Sequence, residues 1–251
     1  MNVAFGIGHS AFGIDASERD MTLAAGEVHV WRAPLAGGEW ADVGVLSDDE
    51  RQRARQFRRD ADRSAFVAAR SLLRELLSRY LRTAPREIRF AYSSTNKPSV
   101  ANATRPLEFS VSHAGDFAMF AFVLDAAVGI DVERVRPLDE LDAVARASMS
   151  ASEQAELSAA DDRLRTFYRL WTRREALAKG LGDGLPALLD GSPRGVLDVD
   201  EYLASRTARS WTIESFEPAE GFVASLAVEG EAPAIRLFDA AAATRMTEIQ
   251  S

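Results

Sequence analysis

The chain has 251 residues, 47% of them hydrophobic, no cysteine and a formal charge of −8. That is enough for one large domain or two small ones with a real core; it excludes disulfides and thiolate metal sites, and no apolar run is long enough to span a bilayer. Residues 1–20 lack the basic-then-apolar order of a signal peptide and read as a loose Gly/Ala/Ser extension, and the absence of cysteine fits a cytoplasmic location.

The charge is uneven. Between Arg51 and Arg89 twelve arginines face only Asp60, Asp62, Glu75 and Glu87, so this band carries +8 and the rest of the chain −16. A basic band in an acidic protein suits a local anionic ligand better than a long nucleic acid. The 30 basic residues comprise 28 arginines and just two lysines, Lys97 and Lys179. Lysine offers a compact ammonium where arginine offers a planar fork, which suits phosphate oxygens.

In chain order, 27–32 (EVHVWR) alternates and predicts a strand. Ser47 with Glu50 forms a capping box that opens a helix. A longer helix over 60–82 carries the stripe Phe66, Ala69, Leu72, Leu73, Leu76, Leu77 and Tyr80, with Arg63, Arg70 and Arg74 on another face. Residues 88–92 predict a short strand, and 93–105 a polar, turn-rich linker. Strands over 109–113 and 117–124 flank the turn Ala114-Gly115-Asp116 as a hairpin. A strand over 127–135 and a short helix over 138–147 follow. Ser150 with Glu153 repeats the capping box ahead of a main helix over 163–180, which ends in glycines. Strands over 210–216, 221–228 and 234–238 predict one C-terminal sheet, and the last residues read as frayed.

Val28–Leu35 lies over Ile130–Leu138 with one inserted residue, and the two capping boxes then fall in step at an offset of about 102 residues. The expectation is an α+β fold of two similar α/β halves about a pseudo-twofold axis, with a ligand cleft between them. Its parts are the extension 1–20, an N-terminal half 21–105 with the basic helix, and a C-terminal half 106–251. Where the first copy has His29 and Trp31, the second has Asp131 and Glu133.

Val128-Gly129-Ile130-Asp131-Val132-Glu133 is the stretch that carries chemistry. As a strand it places both carboxylates on one face, about 6.5–7 Å apart along the backbone. This is half of a hard-cation site for Mg²⁺ or Mn²⁺, or an edge strand with a solvated acidic face. Glu175 and Lys179, four apart on the main helix, are an ordinary pair worth about 0.3–0.5 kcal/mol, or a third carboxylate beside a phosphate-binding amine. Trp171 packs under such a site or in the core. His113 next to Ser112 invites a hydrolase triad, but no Gly-x-Ser-x-Gly elbow accompanies it. No zinc cluster or phosphate-binding Gly-x-x-x-x-Gly-Lys-Ser/Thr loop is present.

Asn96-Lys97-Pro98, Phe109-Ser110-x-Ser112-His113-x-Gly115-Asp116, Val128-Gly129-Ile130-Asp131-x-Glu133 and Trp171-x-x-x-Glu175-Ala176-x-x-Lys179 occur in this order. Together they resemble the 4′-phosphopantetheinyl transferases of the surfactin-synthetase-activating type, over about residues 46–185. The resemblance implies a monomeric, Mg²⁺-dependent (or Mn²⁺-dependent) transferase of two similar halves. It would move the 4′-phosphopantetheine arm of coenzyme A to a serine of an acyl or peptidyl carrier protein and release 3′,5′-ADP, without nucleic acid or membrane. By the same resemblance Asp131, Glu133 and Glu175 hold the metal, and Glu175 and Lys179 are catalytic. Lys97, beside Pro98, and Lys179 contact phosphates, and Ser112 and His113 hold the 3′-phosphate end with Arg63; Arg70 follows only by sharing that helix. The family often has Lys where this chain has Arg174, which leaves a phosphate contact there open. A metal-dependent pyrophosphatase acting on coenzyme A-like nucleotides would use the same carboxylates, and a non-catalytic coenzyme A- or carrier-binding module is the remaining alternative.

Overall fold

A computed structural model describes residues 22–36, 40–101, 103, 106–182, 184, 196–207, 209–231 and 233–241. The expected extension over 1–20 and the frayed C-terminus lie outside the described residues. The elements are β1 (Glu27–Pro34), α1 (Asp48–Gln56), α2 (Asp60–Leu81), β2 (Phe90–Tyr92), β3 (Pro98–Val100), β4 (Leu107–Ala114), β5 (Phe117–Leu124) and β6 (Val128–Arg134). They continue with α3 (Leu141–Ser148), α4 (Ala151–Ala159), α5 (Arg163–Leu181), α6 (Val199–Arg206), β7 (Trp211–Phe216), β8 (Phe222–Glu229) and β9 (Ala234–Asp239). The result is a mixed α+β fold.

Two sheets carry the chain, in the orders β4-β5-β1-β9 and β6-β8-β7. Burial arranges them in layers. The alternating side chains of β5 explain how: Ala118, Phe120 and Phe122 join Trp31, Phe109 and the α2 residues Leu72, Leu73, Leu76, Leu77 and Tyr80. Met119, Ala121 and Val123 point the other way and meet Val128, Ile130 and Val132 of β6 and Ala224, Leu226 and Val228 of β8. A strand buried on both faces needs an apolar residue at every position, hence FAMFAFVL. α5 closes the far side, with Ala176, Leu177 and Ala178 against Ala227, Trp211 and α6.

Both capping boxes form. Glu50 accepts the Ser47 N–H at 3.0 Å, and Glu153 accepts the Ser150 N–H at 2.8 Å. Each of these glutamates also takes a buried arginine from the following long helix. Arg74 donates to Glu50 at 2.7 Å and to the carbonyls of Pro85 and Ile88, both at 2.8 Å. Arg174 donates to Glu153 and, at 2.6 Å, to the Leu197 carbonyl. Burial pushes the Glu50 carboxyl up, but hydrogen bonds from Arg74 and Ser47, with the charges of Arg70 and Arg74, bring it below its ordinary value.

Three expectations need correction. The linker over 93–105 contains β3, which pairs with β2 through Phe90↔Val100. β9 leaves the expected C-terminal sheet and runs parallel to β1, with Val30 opposite Leu237. α6 was not anticipated; its N-cap Asp198 forms a third capping box with Glu201. The first sheet also crosses the expected division at 105/106, because β4 and β5 pair with each other and β5 pairs with β1.

Candidate active site

β6 and α5 lie against each other because Gly129 has no side chain. A Cβ there would sit 1.9 Å from the Ala176 carbonyl oxygen and 2.4 Å from the Gly180 nitrogen. Gly180 serves the same packing from the helix side, where a Cβ would lie 2.7 Å from the Trp211 ring. Asp131 and Glu133 share the face of Gly129, as period-2 geometry requires, and Glu175 and Lys179 meet it from α5.

Asp131 is 4% exposed. Its Oδ1 accepts from Lys179 Nζ at 2.7 Å and from Ser112 Oγ at 2.8 Å, and Lys179 Nζ also donates to Ser112 Oγ at 3.0 Å. Its Oδ2 is buried and accepts no hydrogen bond. Burial, and then the charge of Asp131, push Glu133 up to about 7; Glu175 adds to this, while Lys179 and Arg136 pull it back. Burial followed by Asp131 also raises Glu175, against Lys179. The three carboxylates therefore feel one another's charge across the β6–α5 contact. Among the described residues, no three His, Cys, Asp or Glu side chains lie close enough together to hold a metal ion as they stand. The donor set nevertheless fits a hard cation: it is all oxygen, it holds surplus negative charge, and one buried oxygen accepts nothing.

A cleft of about 220 Å³ opens beside this contact, lined among others by Asn96, Lys97, Pro98, Ser110, Glu175 and Lys179. Both lysines of the chain reach it. Lys97 Nζ donates to the Gly180 carbonyl at 2.9 Å, so it also caps the C-terminal end of α5. Burial lowers the Lys97 pKa. Thr95 Oγ1 donates to the Gly182 carbonyl at 2.6 Å, tying the same loop to the helix end. Asn96 holds φ +63°, the left-handed conformation this turn requires.

The remaining expected site residues stand apart. Arg63 pairs with Asp60 at 2.7 Å and lines a separate pocket with Arg51, Arg55 and Val67. Arg70 bonds Glu50 at 2.6 Å and Tyr92 at 2.5 Å, with its guanidinium 4.4 Å from the Phe90 ring centre. His113 is exposed at the end of β4. Arg174 is fully buried on Glu153, so the phosphate contact left open for it is not made. Trp171 stacks on Phe167 in the α3–α5 core. Sequence reasoning missed Ser110 and Thr95; the period-2 spacing of Ser110 and Ser112 was a signal for the first.

Two family models match the chain: "4′-phosphopantetheinyl transferase, N-terminal" over residues 31–124 and "4′-phosphopantetheinyl transferase superfamily" over residues 127–227. The 4′-phosphopantetheinyl transferase HetI of Nostoc sp. is 34% identical over 218 residues, covering 84% of this chain and 91% of HetI. The transferase AcpT of Salmonella typhi is 36% identical over 134 residues, 53% of this chain and 64% of AcpT. The transferase Sfp of Bacillus subtilis is 29% identical over 150 residues, 59% of this chain and 65% of Sfp. The chain belongs to the 4′-phosphopantetheinyl transferase family. It is accordingly an enzyme, a transferase.

Proposed function

We propose that the protein transfers the 4′-phosphopantetheine arm of coenzyme A to a serine of an acyl or peptidyl carrier protein. The observation that carries this is the meeting of Asp131 and Glu133 on β6 with Glu175 and Lys179 on α5, beside a cleft that Lys97 also lines. Lys97 and Lys179 supply compact positive charge to the pyrophosphate. Ser112 holds Lys179 and Asp131 in place. Exposed His113 and Arg63, the latter with Arg51 and Arg55 in the separate pocket, are assigned to the 3′-phosphate end on the family resemblance alone. Asp131, Glu133 and Glu175 hold Mg²⁺ or Mn²⁺, whose charge offsets that of the pyrophosphate.

The carrier serine oxygen attacks the β-phosphorus. The bond from that phosphorus to the bridging oxygen breaks, and 3′,5′-ADP leaves with the bridging oxygen. Glu175 takes the serine proton, as a carboxylate within reach of the attacking hydroxyl can.

The chain is further proposed to be a cytoplasmic monomer of the surfactin-synthetase-activating type, with two halves about a pseudo-twofold axis. Support comes from the matched pairs Glu50–Arg74 and Glu153–Arg174 and from the matched strands. His29 and Trp31 of β1 face Tyr80 of α2, as Asp131 and Glu133 of β6 face α5. The family models meet between residues 124 and 127, which favours a division there. Carrier docking falls to the basic band between Arg51 and Arg89. No helix among the described residues is long and apolar enough to cross a membrane.

Intact mass spectrometry of a panel of carriers, incubated with coenzyme A and Mg²⁺, tests the proposal. A mass gain of one phosphopantetheine is expected. Coenzyme A turnover without carrier, and no gain on any carrier, would instead identify a pyrophosphatase.

A further inference from the structure

β4 and β6 are edge strands of different sheets, and among the described residues no backbone ladder joins them. Two serine side chains join them instead. Ser110 Oγ accepts the Ile130 N–H at 3.0 Å, and Ser112 Oγ accepts the Val132 N–H at 3.3 Å. Both serines are buried, at 6% and 7% exposure. They sit two apart on β4 and their partners two apart on β6, so the strands run side by side in the same direction with hydroxyls standing in for carbonyl acceptors.

This seam borders the site. Asp131 lies between the two bonded N–H groups, and the Ser112 hydroxyl also donates to its Oδ1. On its other side β6 meets α5 at backbone contact through Gly129. β6 is thus held along one edge by its ladder to β8, on one face by α5, and along its free edge by the serine pair. A displacement along or away from β4 shifts Asp131 relative to Lys179, whose Nζ bonds both Asp131 and Ser112. Ser112 takes part in the site directly. Ser110 does not bond Asp131 or Lys179 in any contact described, and its hydroxyl fixes the register one step earlier.

We propose that Ser110 is a positioning residue for phosphopantetheine transfer: its hydroxyl locks β6 against β4 and so aims Asp131 at Lys179. The proposal rests on the transfer reaction proposed above. Two variants test it, Ser110→Ala, which removes the acceptor, and Ser110→Thr, which keeps it. For Ser110→Ala we expect kcat to fall roughly ten- to a hundred-fold, the scale of an ångström of misplacement, with KM for coenzyme A changed less than two-fold or so. Ser110→Thr should retain most of the wild-type kcat. A second readout needs no turnover. The chain has two lysines, so modification by an amine-reactive reagent, mapped by peptide mass, reports Lys179 separately from Lys97. Lys179 should label faster in Ser110→Ala than in the wild type.

A folded Ser110→Ala protein with wild-type kcat and wild-type Lys179 labelling would overturn the proposal, as would a Thr variant as impaired as the Ala variant. If Ser110→Ala does not fold, Ser110→Cys, a near-isostere with a poor acceptor, is judged by the same criteria. A wild-type protein that modifies no carrier would count against the transfer reaction, while the labelling comparison would still decide the seam.

Discussion

Gly129→Ala adds one methyl where two backbones touch. The new carbon would lie 1.9 Å from the Ala176 carbonyl oxygen, against 3.4 Å for the near edge of ordinary contact, so β6 and α5 must part by about 1.5 Å. Neither neighbour can rotate away, because both close atoms are main chain. Overpacking of this kind costs typically 1–3 kcal/mol, and here the upper end applies. For a chain of this size each kcal/mol lowers Tm by roughly 2–4 °C, so a fall of about 6–12 °C is expected. The same separation draws Asp131 and Glu133 away from Glu175 and Lys179, and transfer should fall about a hundred-fold. Differential scanning calorimetry and a timed carrier-modification assay measure the two effects. Gly180→Ala is the control: its methyl meets the Trp211 ring, a side chain able to shift, so both losses should be smaller. A Gly129→Ala protein with wild-type Tm and rate would refute the account of the β6–α5 contact.

Other substitutions separate structure from chemistry. Arg174→Met leaves Glu153 buried without its partner, which costs about 3–5 kcal/mol; Tm should drop on the order of 10 °C while KM for coenzyme A holds. A raised KM at unchanged Tm would instead assign Arg174 to the ligand. Asp131→Ala should abolish transfer, measured as carrier mass gain; unchanged modification would contradict the role given to that carboxylate. In metal-free buffer, Glu133 has a folded-state pKa of about 7 against an ordinary 4.5. Between these values the folded protein holds a proton the unfolded chain has lost, so stability falls as pH rises from about 5 to 7 and levels off above. Glu50, whose pKa is lowered, acts only below its ordinary value and does not disturb this window. Thermal melts should show that decline, with Mg²⁺ raising Tm more at pH 7.5 than at pH 5; a Tm that climbs through the window would contradict it.

Local signals carried much of the fold. The capping boxes at Ser47 and Ser150 mark real helix starts because they satisfy orphan amides within one turn. The unbroken apolar run of β5 reports burial on both faces, while the alternation of β6 suggested one solvated face and both are covered, by the core and by α5. The partnering of β9 with β1 was not legible, since a six-residue strand with partial alternation does not name its neighbour across two hundred residues. Within the site, spacing put Asp131 and Glu133 on one face of a strand and Glu175 and Lys179 on one face of a helix, and it was the family resemblance that joined the two. What spacing could not reveal was how each charge is spent. Arg174 goes to a buried glutamate and Lys97 to the last turn of α5, because tertiary contacts decide between a ligand and a carbonyl.

The most direct test of the central claim is a crystal structure of the protein with Mn²⁺ and coenzyme A, read at the manganese anomalous edge. The account predicts a single anomalous peak bonded by the carboxylates of Asp131, Glu133 and Glu175 and by oxygens of the pyrophosphate. A peak held elsewhere, with Lys179 still on Asp131 and the pyrophosphate outside the cleft, would contradict it.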